Sequence, residues 1–310
     1  MTYRFRYYTD EFFSEIEKMI LNSYSMGFPG YPFNQLQFHR GAHSAWANNK
    51  ACWEQTTGLW FEEDKLAAVA ISVGAWQEEA YFIFDSSKRA EDIELLNSMF
   101  HHIETHIACF YGRPSEDNVR HLEMTIPAYF ESVRKIAVER GYVKADYVEN
   151  INILPFEGKL FEVKLPEGYS IADGNQVPAF YSANAHMFSF NYTRPTSNGI
   201  KGGFEELKKM KAYDPDLDLV ALDPEGKPVG LSIGWCNEKM EYCELEPLGV
   251  AWWCRRKGIG SALIHELSNR TMKKYPSCRG MLGGYSQFYY DIGFKKVTEN
   301  EIWKWEKSFK

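Results

Sequence analysis
The sequence predicts an α/β protein built as two consecutive domains. Extended apolar runs alternate with runs at helical spacing along the chain, the pattern of mixed, mainly antiparallel sheets flanked by helices. At 310 residues there is enough chain for two ordinary cores. A glycine followed by an aromatic residue closes a helix-period run twice, at Gly141-Tyr142 and at Gly293-Phe294. These pairs lie almost half the chain apart, so the second domain reads as a repeat of the first.

In the first half, residues 4–8 alternate as a strand does, and Phe12, Ile16, Met19 and Ile20 recur at helical spacing behind Asp10, a suitable cap. The stretch from Gly27 to Phe33 breaks regular structure with glycine, proline and aromatic residues. Residues 58–61, 66–75 and 79–84 read as three strands of a meander, 90–108 as a helix, 121–126 as a strand and 129–140 as a second helix. His102 and His106 stand one turn apart, but Glu104 between them is misplaced for the His-Glu-x-x-His zinc pattern. They read as surface or satisfied histidines, and no metal is expected. Leu154-Pro155-Phe156-Glu157-Gly158 reads as the joint between domains 1–157 and 158–310. Extended segments over 160–165 and 169–172 follow, then a helix over 177–190, a polar loop over 191–203 and a helix over 204–211. Strands over 218–222 and 229–237 pair around Asp223-Pro224-Glu225-Gly226-Lys227, a turn by composition.

A net charge of −7 with 25% charged residues gives no basic footprint for nucleic acid. The six cysteines are scattered with no Cys-x-x-Cys pair, so reduced thiols are expected rather than a zinc ribbon or a disulfide framework. The N-terminus has no apolar signal core, and no run of 18 apolar residues occurs, which points to a cytoplasmic protein without a membrane partner. Asn191-Tyr192-Thr193 matches a glycosylation sequon that has no consequence without secretion.

Chemistry concentrates between Glu244 and Ala262. An extended run ends at Val250, a helix-period run (Ile259, Leu263, Leu267) starts beyond Gly258, and Arg255-Arg256-Lys257-Gly258-Ile259-Gly260-Ser261 joins them. Glycines at 258 and 260 let the backbone approach a ligand, and the unpaired N–H groups of a helix start favour an anion. Arg255, Arg256 and Lys257 add mobile positive charge, so the expected ligand is a phosphate or pyrophosphate. A dinucleotide fingerprint would need a glycine where Leu263 stands, and the Gly-Lys-Ser/Thr of a nucleotide P-loop is missing. A tight strand-to-helix connection alone would explain the glycines as well.

What remains is Arg-x-x-Gly-x-Gly after a strand, and Arg255 follows Val250 at the spacing of the pyrophosphate signature of the GNAT family of acyl-coenzyme A N-acyltransferases, which the chain here resembles. Further on, Phe288-Tyr289-Tyr290-Asp291-Ile292-Gly293-Phe294 is similar to the Phe-Tyr-x-x-x-Gly-Phe that closes the fourth helix of a GNAT domain. The first half has the family's element order without its chemistry. Asp85-Ser86-Ser87-Lys88-Arg89-Ala90-Glu91-Asp92 stands in the place of the cofactor turn, and Ala137 where the second half has Tyr289. The resemblance implies two tandem GNAT-like domains: a degenerate copy over 1–157, and an acetyl-coenzyme A-binding domain over 158–310 with a splayed central strand.

The same resemblance implies an acetyl transfer from acetyl-coenzyme A to a primary amine of a small molecule or peptide, by direct attack in a ternary complex. Leu248 and Val250 would pair with the pantetheine arm, the Leu248 N–H would hold the thioester oxygen, and residues 255–261 would hold the pyrophosphate. Tyr289 takes the general-acid position. Glu244 or Glu246 would serve as base, directly or through water, although either fits an ordinary exposed strand residue as well. On a regular pleat, positions 244, 246, 248 and 250 share one face. Pro247, which removes a ladder donor, fits a bulge. Phe188, Tyr192 and Arg194 would fall on the acceptor side of the cleft as substrate contacts, although each fits an ordinary surface loop as well. The asparagine that many relatives carry before the fourth helix is replaced by Gly283-Gly284-Tyr285-Ser286-Gln287, which puts contacts there in doubt. A non-catalytic acyl-coenzyme A binding or sensing module is the alternative function. Acceptor identity and oligomeric state are not encoded in any of these motifs.

Overall fold
The protein is described as a computed structural model covering residues 3–24, 31–37, 49–74, 77–110, 118–190 and 197–308. The chain opens with β1 (Arg4–Tyr7), α1 (Phe13–Ser23), α2 (Phe33–Leu36), α3 (Asn49–Thr56), β2 (Gly58–Glu62), β3 (Lys65–Gly74) and β4 (Gln77–Phe84). It continues with α4 (Ile93–His106), β5 (Cys109–Phe110), β6 (Val119–Pro127), α5 (Glu131–Glu139) and β7 (Val143–Pro155). The second half supplies β8 (Ser170–Asp173), α6 (Ala179–Ser189), α7 (Ser197–Leu207), β9 (Asp218–Leu222), β10 (Pro228–Trp235) and β11 (Tyr242–Val250). Then come α8 (Ile259–Lys274), β12 (Gly280–Gly283), α9 (Gln287–Ile292) and β13 (Lys295–Ser308). Among the described residues no helix is long and apolar enough to cross a membrane. All six cysteines are free thiols.

Two compact units emerge, divided differently from 1–157 and 158–310. Of the described residues, one comprises those up to Ile151 together with Val297–Ser308, and the other those from Asn152 to Lys296. The difference is an exchange of last strands. β13, which ends the second copy, runs antiparallel to β6 from Asn300↔Pro127 to Ser308↔Val119. The end of β7, which closes the first copy, pairs with β12 through Asn152↔Gly283 to Pro155↔Gly280. Each repeat thus completes the sheet of the other.

In the first unit the strand order is β1-β2-β3-β4-β6-β13-β7, and from β1 to β13 the neighbours are antiparallel except β4 and β6. α4 starts at Asp92, whose carboxylate accepts the N–H groups of Glu94 and Leu95, and buries Leu95, Leu96, Met99, Phe100 and Ile103. β13 adds Trp303 and Trp305 to that core. His102 is buried, with Nε2 2.7 Å from the Thr56 carbonyl and its ring stacked on His106, and burial pulls its pKa down to about 4. It is a satisfied core histidine, as expected.

In the second unit the order is β12-β11-β10-β9-β8, and only the β11–β12 pair is parallel. Every residue of β10 is buried because helices cover both faces. α8 packs Ile259, Leu263 and Leu267 on one side, where Gly230 and Gly234 let it approach closely. Each such buried leucine or isoleucine contributes about 1.5–3 kcal/mol.

Some expectations needed correction. Residues 197–203, expected as loop, begin α7, while 160–165, expected as an extended segment, joins no ladder. The short helices α2 and α3 were not foreseen. Most of the aromatic stretch from Gly27 and the first part of the 191–203 loop, with its sequon, lie outside the described residues.

Candidate active site
The site is organised by an irregularity in β11. Leu248, Gly249 and Val250 stand opposite Ser232, Leu231 and Gly230, and Glu244 and Leu245 opposite Trp235 and Gly234. Glu246 and Pro247 therefore share the single partner position at Ile233. This is a β-bulge, and it resets the alternation of side chains. Leu245, Leu248 and Val250 share one face with Gly230 and Gly234, the side on which α8 packs. Glu244 shares the opposite face with Gly249, against which Ser189 of α6 lies. The expectation that 244 and 248 share a face is thus corrected, the cause being the extra residue beside Pro247. Glu244 is only 3% exposed. The indole of Trp235 donates to the Glu246 carbonyl at 2.7 Å and fixes the bulge.

Parallel pairing between β11 and β12 covers Tyr242–Glu244 against Gly280–Leu282. β11 then runs on to Val250 while β12 stops at Gly283, so the strands part and a slot opens at the end of β11. A cavity of about 700 Å³ lies there. Leu248 and Val250 form its strand side; Arg255, Arg256, Gly258, Ile259, Gly260 and Ser261 form the turn and helix start; Phe288 and Tyr289 close it from α9.

The turn has the shape an anion needs. Gly258 is the N-cap of α8 at φ 81°, with no side chain capping the helix. The Ala262 N–H takes the Gly258 carbonyl, leaving the N–H groups of the first turn, from Ile259 to Ser261, without acceptors inside the helix. Arg256 also has positive φ, at 61°. A Cβ on Gly260 would stand 3.0 Å from the Phe288 ring and 3.7 Å from a Val250 methyl, so glycine keeps this cradle open. The helix dipole adds to the attraction for negative charge.

The three basic side chains are not equally mobile. Arg255 donates from Nε to the Val250 carbonyl at 3.1 Å and from Nη2 to the Ser189 carbonyl at 2.6 Å. It ties the end of β11 to the last turn of α6, which corrects the expectation of free charge there. Lys257 leans away on Tyr169, with Nζ 3.4 Å from its hydroxyl, and does not line the cavity.

Tyr289 is seated by two glycines. A Cβ on Gly284 would meet its ring at 2.5 Å and one on Gly283 at 3.2 Å, so this glycine pair makes room for the phenol. Phe288 and Phe294 hold it edge-on at 5.3 and 5.2 Å between ring centres. Burial pushes the hydroxyl up to about 12, and the nearby charge of Glu246 adds to the rise. Glu246 is itself pushed up to about 7 by the protein crowded around it. Its surface still meets solvent, so water screens part of that effect.

Of the acceptor-side residues, Phe188 packs on Trp253 at 5.2 Å rather than lining the cavity, while Tyr192 and Arg194 lie outside the described residues. Sequence reasoning missed Ser189 and Phe190, which line the cavity from the end of α6. It also missed Asn152 of β7, whose amide donates to the Gly284 carbonyl at 2.9 Å. No local pattern marks either, because both arrive through tertiary packing.

The corresponding turn of the first unit is built differently. After β4, Arg89 is ion-paired with Glu62 and Asp85, and Lys65 reaches Asp85 at 3.1 Å. No glycine opens the backbone there, and carboxylates occupy the approach.

No family model and no curated protein matches this sequence. Solved structures do match. A tandem GNAT protein from the clavulanic acid biosynthesis pathway is 13% identical over 98% of both chains, with a TM-score of 0.65. A GCN5-related N-acetyltransferase from Sphaerobacter thermophilus is 17% identical over 98% of this chain and 95% of its own, at 0.59. A putative acetyltransferase from Pyrococcus horikoshii is 9% identical over 99% and 90%, at 0.51. The fold is that of the GNAT superfamily. It is the tandem form, with two such units in a single chain.

Proposed function
We propose that the second unit binds acetyl-coenzyme A along the end of β11 and the first turn of α8, and transfers the acetyl group to a primary amine. The observation that carries this reading is the cavity that gathers the glycine cradle, Leu248, Val250 and Tyr289 in one place. The N–H groups of residues 258–261 would hold the pyrophosphate, Arg256 would add charge, and the Leu248 N–H would donate to the thioester oxygen as negative charge develops on it. Glu246 takes the proton of the attacking amine, directly or through water, as the new C–N bond forms. Tyr289 gives its proton to the sulfur as the C–S bond breaks. Glu244, buried on the other face, would help hold the α6 side of the strand.

Free-thiol release from acetyl-coenzyme A with a panel of small amines and peptides tests this proposal. Turnover above the amine-free blank is expected. A second reading, a non-catalytic acyl-coenzyme A sensor, is favoured by the absence of Glu244 and Glu246 from the cavity lining; tight binding with no turnover across the panel would establish it instead. Tyr289→Phe should lower kcat by roughly 10²-fold with coenzyme A affinity and Tm almost unchanged, because it deletes a proton donor needed in the transition state. A full-speed variant would move the acid role elsewhere.

A further inference from the structure
A second cluster of ligating side chains sits in the first unit, outside the cavity already described. Cys109 on β5 stands directly opposite His121 on β6. β4 runs parallel to β6 with Glu79 beside Glu123, which brings Glu78 to the same end. One ligand atom from each of Glu78, Cys109 and His121 lies within 4.8 Å of the other two. The Cys109 Sγ is 4.0 Å from His121 Nε2, and that same nitrogen is 3.4 Å from Glu78 Oε2.

Two physical arguments distinguish this arrangement from a nucleophile relay. A thiol–imidazole–carboxylate relay needs one partner on each ring nitrogen, so that the proton taken on one side is balanced on the other. Here the thiol and the carboxylate converge on one nitrogen, leaving a point between all three atoms. The separations also suit a tetrahedral ion. Sulfur, nitrogen and oxygen ligands at zinc bond lengths lie about 3.3–3.6 Å apart, so the His121–Glu78 spacing already fits and the thiol is only a few tenths of an ångström too far from His121. The side chains of His121 and Glu78 are 15% and 35% exposed, which gives an ion a way in and leaves room for water.

We propose that Cys109, His121 and Glu78 form a binding site for a zinc-like divalent transition metal, with water as fourth ligand. The mixed S/N/O donor set selects against magnesium and calcium, which require oxygen ligands. The bound ion would pin the two-residue strand β5 to β4 and β6. Sequence reading overlooked the site because Cys109 and His121 are not at a zinc-motif spacing and Glu78 comes from another strand.

Cobalt(II) titration of the chelator-treated full chain tests the proposal, since a thiolate–cobalt bond gives a near-ultraviolet charge-transfer band and a tetrahedral site gives intense visible bands. Both sets are expected, and zinc should displace them. Cys109→Ser should lose the charge-transfer band, while Cys278→Ser, which removes a buried thiol of the second unit, should keep it. If circular dichroism shows Cys109→Ser to be unfolded, His121→Ala and Glu78→Gln are read instead, and each should weaken cobalt binding at least about 10-fold. No band in the parent protein, a band that survives Cys109→Ser, or unchanged affinity in the other two variants would overturn the assignment.

Discussion

Gly260→Asp is expected to abolish coenzyme A binding and leave the protein folded. The new side chain would enter the space between Phe288 and Val250 that the cradle keeps open, with its Cβ already 3.0 Å from the Phe288 ring. Its carboxylate would sit among the N–H groups that the pyrophosphate needs, so the site loses both volume and positive potential. The helix itself gains, because an acid in the first turn opposes the dipole favourably, by about 0.3–1 kcal/mol. Calorimetry with coenzyme A should therefore show binding to the parent chain and none to the variant, at similar melting temperatures. Ser87→Ala, in the corresponding turn of the first unit, should bind as the parent does. Retained affinity in Gly260→Asp would sink the placement of the cofactor.

Glu246→Gln should slow turnover by roughly 10²- to 10⁴-fold, the scale of a lost general base. The pH dependence gives a sharper signature. As the proposed base Glu246 would act only when deprotonated, and its pKa is raised towards about 7, so kcat/KM of the parent should climb with pH up to neutrality, above which only the limb set by the acceptor amine remains. The Tyr289 hydroxyl, at about 12, stays protonated throughout and adds no falling limb below that value. In the variant the limb near 7 should vanish, leaving only the limb set by the acceptor amine, which moves when the amine is changed. Stability has the opposite sign. The folded chain holds the Glu246 proton more tightly than the unfolded chain, whose carboxyl titrates near 4.5, so this residue costs stability as pH rises from there to about 7. Glu246→Gln should melt no lower than the parent at pH 8. An unshifted profile at full rate would remove Glu246 from the chemistry.

The parts of this molecule that could be read from sequence are those whose physics is local. Arg255 to Ser261 announces a turn and a helix start because glycine and helical spacing act within one turn of chain. Phe288 to Phe294 likewise carries its own helix and stop, with Gly293 at φ 114°. The face of Glu244 was not legible, since it depends on which partner residue on β10 absorbs the bulge at Glu246 and Pro247. Gly283 and Gly284 looked like the loss of a contact, yet they are the space into which the Tyr289 ring fits. The strand exchange left no trace either, since a strand's own side-chain pattern is silent about which sheet receives it.

That exchange orders events during synthesis. β6 meets its neighbour β13 only after β7 to β12 have been made, so the unit whose strands are translated earlier cannot be the one that closes first. Until Trp303 and Trp305 arrive, the core around Phe100 and Tyr142 lacks one wall and β6 presents an open edge to other chains. The second unit receives its borrowed strand early, because β7 is translated before β12. Synthesis halted before β13 would therefore leave a chain whose second unit can close its sheet while the first stays open, and chaperone demand should fall on the first unit.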